Sequence, residues 1–167
     1  MVGEDVELRT LPATRVAYVR HVGSYGSPGI GDMWRRFESW CATHGLTSPR
    51  RRMFGIAQDN PNITPADKTR YDACIEVDDS FQPSRDVGVQ TIRGGVYACT
   101  AFFGPASDIQ SAWVKFLGKT MPDAGHQHDV APALEIYEPD FAIDPNTGAF
   151  LMTLSDKNGN PLTNTDL

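Results

Sequence analysis

Two tryptophan–phenylalanine pairs, Trp34-x-x-Phe37 and Trp113-x-x-Phe116, stand 79 residues apart and mark an internal repeat. A duplication constrains the fold more than any single motif, because both halves must share one architecture. Around each pair the apolar spacing predicts a helix: Met33, Trp34, Phe37, Trp40 and Cys41 within about 30–43, and Ile109, Ala112, Trp113, Phe116 and Leu117 within about 106–119. Gly45 is the expected C-cap of the first helix, and Ser107 or Asp108 the expected N-cap of the second.

Alternating or β-rich segments flank the helices at 6–11, 15–22, 53–57 and 71–77 in the first half, and at 87–92, 96–103, 132–138 and 150–154 in the second. The order strand, strand, helix, strand, strand therefore occurs twice. Tyr18 to Gly23 precedes Cys99 to Gly104 by 81 residues, and Tyr71 to Val77 precedes Phe150 to Asp156 by 79. The expected organisation is one domain, with repeat one at 6–77, a polar linker at 78–86, repeat two at 87–155 and a polar tail at 156–167. A helix-plus-sheet half cannot cover its own apolar face. Two such halves side by side make an α+β fold with one antiparallel sheet, two main helices on a face and a central groove between them.

At the 79-residue offset Ile56 corresponds to Glu135. A glutamate in mid-strand runs against propensity. Its face either looks at water or lines a cavity, and a carboxylate at the seam of two repeats points to the cavity. Alternation puts Tyr137 on the same face as Glu135. Trp34 and Trp113 hold equivalent helix positions and are expected as opposite walls. Phe54, Tyr71 and Phe102 complete the candidate ligand-binding set. A desolvated carboxylate among aromatic rings suits a cation, through charge pairing and cation–π attraction.

Composition narrows the function further. A net charge of −6 opposes a phosphate backbone, so nucleic acid is not an expected direct partner. Cys41, Cys74 and Cys99 fit no zinc spacing and are read as buried free thiols. His126-x-His128 with Asp129 offers no third ligand at a known spacing, so neither a metal nor a cofactor is expected. Arg50-Arg51-Arg52 reads as a solvated basic turn. No signal-like N-terminus and no apolar run of membrane length are visible, which leads to the expectation of a cytoplasmic protein.

Several stretches together resemble a known family. They are Asp59-Asn60-Pro61-x-x-Thr64-Pro65-Ala66-x-Lys68-x-Arg70-x-Asp72, Gly94-Gly95-x-Tyr97-Ala98, Trp113, and Glu135-x-Tyr137. Over roughly residues 6–155 the chain is similar to the DNA gyrase inhibitor-like proteins, which share a fold with the effector-binding domains of AraC-type and multidrug-responsive regulators. The resemblance implies a duplicated β-α-β-β unit around a groove for small organic molecules, often cationic and aromatic. It also implies a recurrent acid in that groove, and Glu135 matches its place. There is no room for a helix-turn-helix before Val6, so a stand-alone binding module is expected, acting as a sensor or a sequestering protein. Two alternatives stay open. One is a hydrolase of electrophilic small molecules using Glu135 as general acid or base, oriented by Tyr137 or Tyr71. The other is a gyrase- or regulator-interacting protein that docks through acidic segments at 78–79 and 138–144.

Overall fold

The structure is a computed structural model, and it describes residues 5–127 and 132–157. Eight strands form a single antiparallel sheet: β1 (Glu7–Leu11), β2 (Thr14–Val22), β3 (Met53–Ala57), β4 (Arg70–Glu76), β5 (Gly88–Ile92), β6 (Gly95–Gly104), β7 (Ala133–Tyr137) and β8 (Phe150–Lys157). Helix α1 (Pro28–Thr43) joins β2 to β3, and α2 (Ile109–Lys115) follows β6. Pro28 occupies the first turn of α1, and the Ser27 hydroxyl caps it by accepting from the Gly29 N–H at 3.2 Å. Gly45 takes φ 72° just past its end, a left-handed conformation that favours glycine. Neither Ser107 nor Asp108 caps α2 through its side chain: the helix is entered through a tight turn at Ala106–Asp108. It leaves through a wide π turn, Phe116–Thr120, and a last turn, Met121–Asp123.

The strand order is β1-β6-β8-β7-β3-β4-β2-β5. Exchanging each strand with the one four places later turns this order into its own reverse. The seam between halves is the β3–β7 ladder. The first strand of each half crosses the seam: β1 pairs with β6, and β5 pairs with β2. What each half builds for itself is therefore β-α-β-β.

The ladder also corrects the repeat register. Gly55 pairs with Glu135 at its midpoint, with Met53 opposite Tyr137 and Ala57 opposite Ala133. A two-fold through that midpoint exchanges Gly55, not Ile56, with Glu135. Sequence spacing missed this because the offset set by the helices does not hold in the strands.

Side-chain alternation sorts the core onto two faces. Between α1 and the sheet, Met33, Phe37 and Cys41 of the helix pack with Ala17, Tyr71 and Ile75. In the second half, Phe116 and Met121 of the turns that continue α2 pack with Ala98, Phe102, Phe150 and Leu154 of the sheet. The opposite face carries Val16, Phe54, Ile56, Cys74, Tyr97, Leu134 and Ile136. All three cysteines are buried free thiols, and burial pushes Cys41 up to about 12. Segment 78–86 forms no strand, but it is pinned: Arg15 donates to the Phe81 carbonyl at 2.9 Å, and the Phe81 ring meets Trp40 edge-on at 6.2 Å. Among the described residues, no helix is long and apolar enough to cross a membrane.

Candidate functional site

The centre of the sheet is built to take one large polar side chain. On the helix-bearing face Glu135 has Gly55 beside it on β3 and Leu154 on β8, and Ala73 lies opposite Gly55 on β4. Glycine and alanine leave a shallow place in the sheet. The Glu135 carboxylate and the Tyr71 phenol fill it.

Glu135 is 6% exposed, and every hydrogen bond to its carboxylate comes from a neutral donor. Oε1 accepts from the Tyr71 hydroxyl at 2.5 Å and from the Tyr137 hydroxyl at 3.2 Å. Oε2 accepts from the Trp113 indole N–H at 3.2 Å. Trp34 acts one step further out: its indole N–H donates to the Tyr71 oxygen at 3.1 Å. Each helix thus sends one tryptophan to the seam. The Trp34 and Tyr137 rings meet edge-to-face at 5.5 Å, and Tyr25 meets Tyr71 edge-on at 6.4 Å.

Burial among rings disfavours charge on the carboxyl and raises its pKa, while hydrogen bonds from Tyr71, Trp113 and Tyr137 pull it down. Burial, then the nearby Glu135 charge, hold the Tyr71 and Tyr137 phenols well above the usual range. Both tyrosines therefore remain donors throughout the physiological range. The site is a desolvated acid enclosed by donors that bring no compensating charge.

Of the seven residues singled out by sequence, the structure brings five together: Glu135, Tyr137, Tyr71, Trp34 and Trp113. Phe54 is not among them. It neighbours Gly55 along β3, so alternation turns it to the opposite face, with Ile56, Leu134 and Ile136. Phe102 is on the helix-bearing side but lies beneath α2, tilted against Phe150 at 5.8 Å with Phe116 and Met121 around it. Two contributors escaped sequence reading. Gly55 left a signal, since a glycine inside a strand marks close approach of another group. Tyr25 sits in a glycine-rich loop and left none.

The motif between β3 and β4 acts as scaffolding. Asp59 pairs with Arg70 through both oxygens, at 2.8 and 2.9 Å. The Tyr25 hydroxyl accepts from the Asp59 backbone N–H at 2.9 Å, which fixes that tyrosine against Tyr71. On the far face Asp72 is fully buried and receives Arg20, Gln58 and Gln90 at 2.7–2.9 Å.

The three arginines stay at least partly exposed and also brace neighbouring segments. Arg50 donates to the Phe141 carbonyl at 2.8 Å, Arg51 to the Glu76 carbonyl at 3.2 Å, and Arg52 to Glu138 at 3.1 Å. The acidic segments are partly committed as well, Glu138 to Arg52 and Asp78 to Ser80. Among the described residues no metal-ligating cluster forms; His128 and Asp129 lie outside them. Beside the aromatic cluster, between α1 and the β7–β8 connection, runs an open groove of about 540 Å³. Tyr137 lines it and also donates to Glu135.

Residues 4–149 match the family described as the GyrI-like small molecule binding domain. A DNA gyrase inhibitor of Escherichia fergusonii is 33% identical over 108 residues, 63% of this chain and 68% of that protein. The SPbeta prophage-derived protein YosT of Bacillus subtilis, named as a transcriptional regulator, is 32% identical over 93 residues; the match spans 56% of this chain and 62% of YosT, less than two thirds of that relative's length. In shape the chain is similar to SAV2435, solved with tetraphenylphosphonium bound: the TM-score is 0.58 at 12% identity, covering 93% of this chain and 94% of the other.

Proposed function

We propose, from the premise that this chain belongs to the GyrI-like small molecule binding domain family, that it binds lipophilic organic cations at Glu135 and acts as a sensor or sequestering protein for them. The observation that carries this reading is the buried carboxylate whose donors are all neutral. A buried acid without a cationic partner is poorly stabilised as a charge. A bound cation supplies the missing countercharge. A cation that displaces these donors also meets the rings of Trp34, Trp113 and Tyr137, at about 0.5–2 kcal/mol for each cation–π contact it forms.

The site is closed, with both carboxylate oxygens occupied. A ligand that reaches Glu135 displaces at least one donor, and each displaced hydrogen bond costs on the order of 1 kcal/mol. A neutral ligand that displaces a donor leaves the buried acid with fewer hydrogen bonds and still no countercharge, whereas a cation supplies the countercharge in exchange. Selection for charge thus arises from the closed state itself. The tetraphenylphosphonium carried by a protein of similar shape has the chemistry this site asks for: one delocalised positive charge inside an aromatic shell.

The test is a tryptophan-fluorescence titration with tetraphenylphosphonium and with the neutral triphenylphosphine oxide. Saturable quenching by the cation, at least about tenfold tighter than by the neutral analogue, is expected. Equal response to both compounds would remove the charge-selective reading.

A further inference from the structure

The groove beside the aromatic cluster brings guanidinium groups close to the Glu135 site. Its walls include Arg50, Arg51, Glu38, Met53, Tyr137 and Phe141. Arg50 and Arg51 each give one N–H to a backbone carbonyl, and neither is ion-paired among the described residues. A guanidinium has five N–H donors, so both keep donors to spare. Two acids, Glu38 and Glu138, line the same groove. Glu138 is engaged by Arg52, and Glu38 feels the charge of Arg50. With Glu138 matched by Arg52, Arg50 and Arg51 stand against Glu38 alone, which leaves a small positive excess beside apolar side chains in a chain of net charge −6. The groove's volume of about 540 Å³ suits an organic molecule.

We infer that this groove is a second subsite, which takes the carboxylate or sulfonate of an aromatic ligand on Arg50 and Arg51. Guanidinium groups match the oxygens of carboxylate or sulfonate through paired N–H bonds, and the touching rings of Tyr137 and Phe141 form one apolar wall for an aromatic body. Because Tyr137 both lines the groove and touches Glu135, the two subsites are adjacent. The whole site then fits amphoteric aromatic compounds, with a cationic end at Glu135 and an anionic end in the groove. The joint occupancy rests on the reading of Glu135 given above; the anion subsite does not.

The experiment compares wild type, Glu135→Gln and the double variant Arg50→Gln/Arg51→Gln. Glutamine keeps an N–H for the backbone carbonyls, and thermal unfolding checks that the double variant is folded. Anilinonaphthalene sulfonate, an aromatic anion without a cation, reports the groove alone. It is expected to bind wild type and Glu135→Gln equally, and the double variant about five- to tenfold more weakly. No binding to wild type, or equal binding to the double variant, overturns the anion subsite. A rhodamine with a free benzoate and its methyl ester then report joint occupancy. The acid is expected to bind wild type about five- to tenfold tighter than the ester, with that ratio lost in the double variant and kept in Glu135→Gln. A ratio of one in wild type, or binding of neither dye, overturns joint occupancy. Ester binding that Glu135→Gln leaves unchanged overturns the cation reading while the sulfonate result stands on its own.

Discussion

Gly55 and Glu135 face each other on the ladder that joins the two halves, and the carboxylate of one occupies the space left by the missing side chain of the other. A methyl group built on Gly55 would overlap the Tyr71 hydroxyl and Glu135 Oε1 and lie 2.8 Å from Tyr71 Cζ. The asymmetry of the seam is therefore a matched pair, one residue emptied so that its counterpart can be filled.

Gly55→Ala follows from that relationship. In an ordinary strand the change would help, since glycine is the weaker strand former. Here the colliding atoms, the Tyr71 hydroxyl and Glu135 Oε1, are bonded to each other and held by Trp34 and Tyr137, and cannot retreat without breaking hydrogen bonds. A loss of about 1–3 kcal/mol is expected, read from the midpoint of urea unfolding at unchanged slope. An unchanged or raised midpoint would show that the seam has slack.

Tyr71→Phe removes the shortest bond to Glu135 and strands the Trp34 indole N–H. A cost of about 1–3 kcal/mol is expected. Tyr137→Phe breaks only a 3.2 Å bond, and its ring stays in contact with Trp34, so the expected cost is about 1 kcal/mol or less. Equilibrium denaturation of both variants gives the order, and the reverse order would contradict the hydrogen-bond assignment.

The stability of the protein should carry the signature of Glu135. Its pKa is raised in the folded state, chiefly by burial, so the folded protein binds its proton more tightly than the unfolded chain. The associated stability is fully present below the ordinary glutamate range. It is lost as pH rises through the raised folded value. Relative to Glu135→Gln, wild type should therefore be comparatively more stable in mild acid than at neutral pH. Denaturation of both proteins across that range measures the difference; a difference independent of pH would mean the carboxyl is not perturbed.

Cation binding should respond to pH in the opposite sense. A positive ligand needs the ionised carboxylate, so affinity is expected to fall as pH drops below the raised pKa and to level off above it. In Glu135→Gln that dependence should vanish. A titration series with tetraphenylphosphonium checks both statements.

Much of the frame was legible in the chain. The repeated Trp-x-x-Phe pairs located both helices, and alternation located all eight strands to within a few residues. Glu135 with Tyr137, and a tryptophan from each helix, were readable because strand and helix periods fix which side chains share a face. Strand exchange across the seam was not readable, since pairing partners far apart leave no local mark. The counterpart of Glu135 was misread as Ile56 for the same reason: helix spacing does not carry into the ladder, where register alone decides that Gly55 stands opposite. Phe54 was misassigned through aromatic character, although its place beside Gly55 already turned it away. The partners of the arginine turn were not readable, because backbone carbonyls as acceptors are invisible in sequence.

The most direct measurement is calorimetric titration of tetraphenylphosphonium into wild type and Glu135→Gln at neutral pH, with the emission of Trp34 and Trp113 followed in a Trp40→Phe background. The cation is expected to bind wild type and quench both tryptophans, and to bind Glu135→Gln at least about tenfold more weakly. Equal affinity for the two proteins, or binding that leaves both tryptophans unchanged, would contradict a cation site at the buried carboxylate.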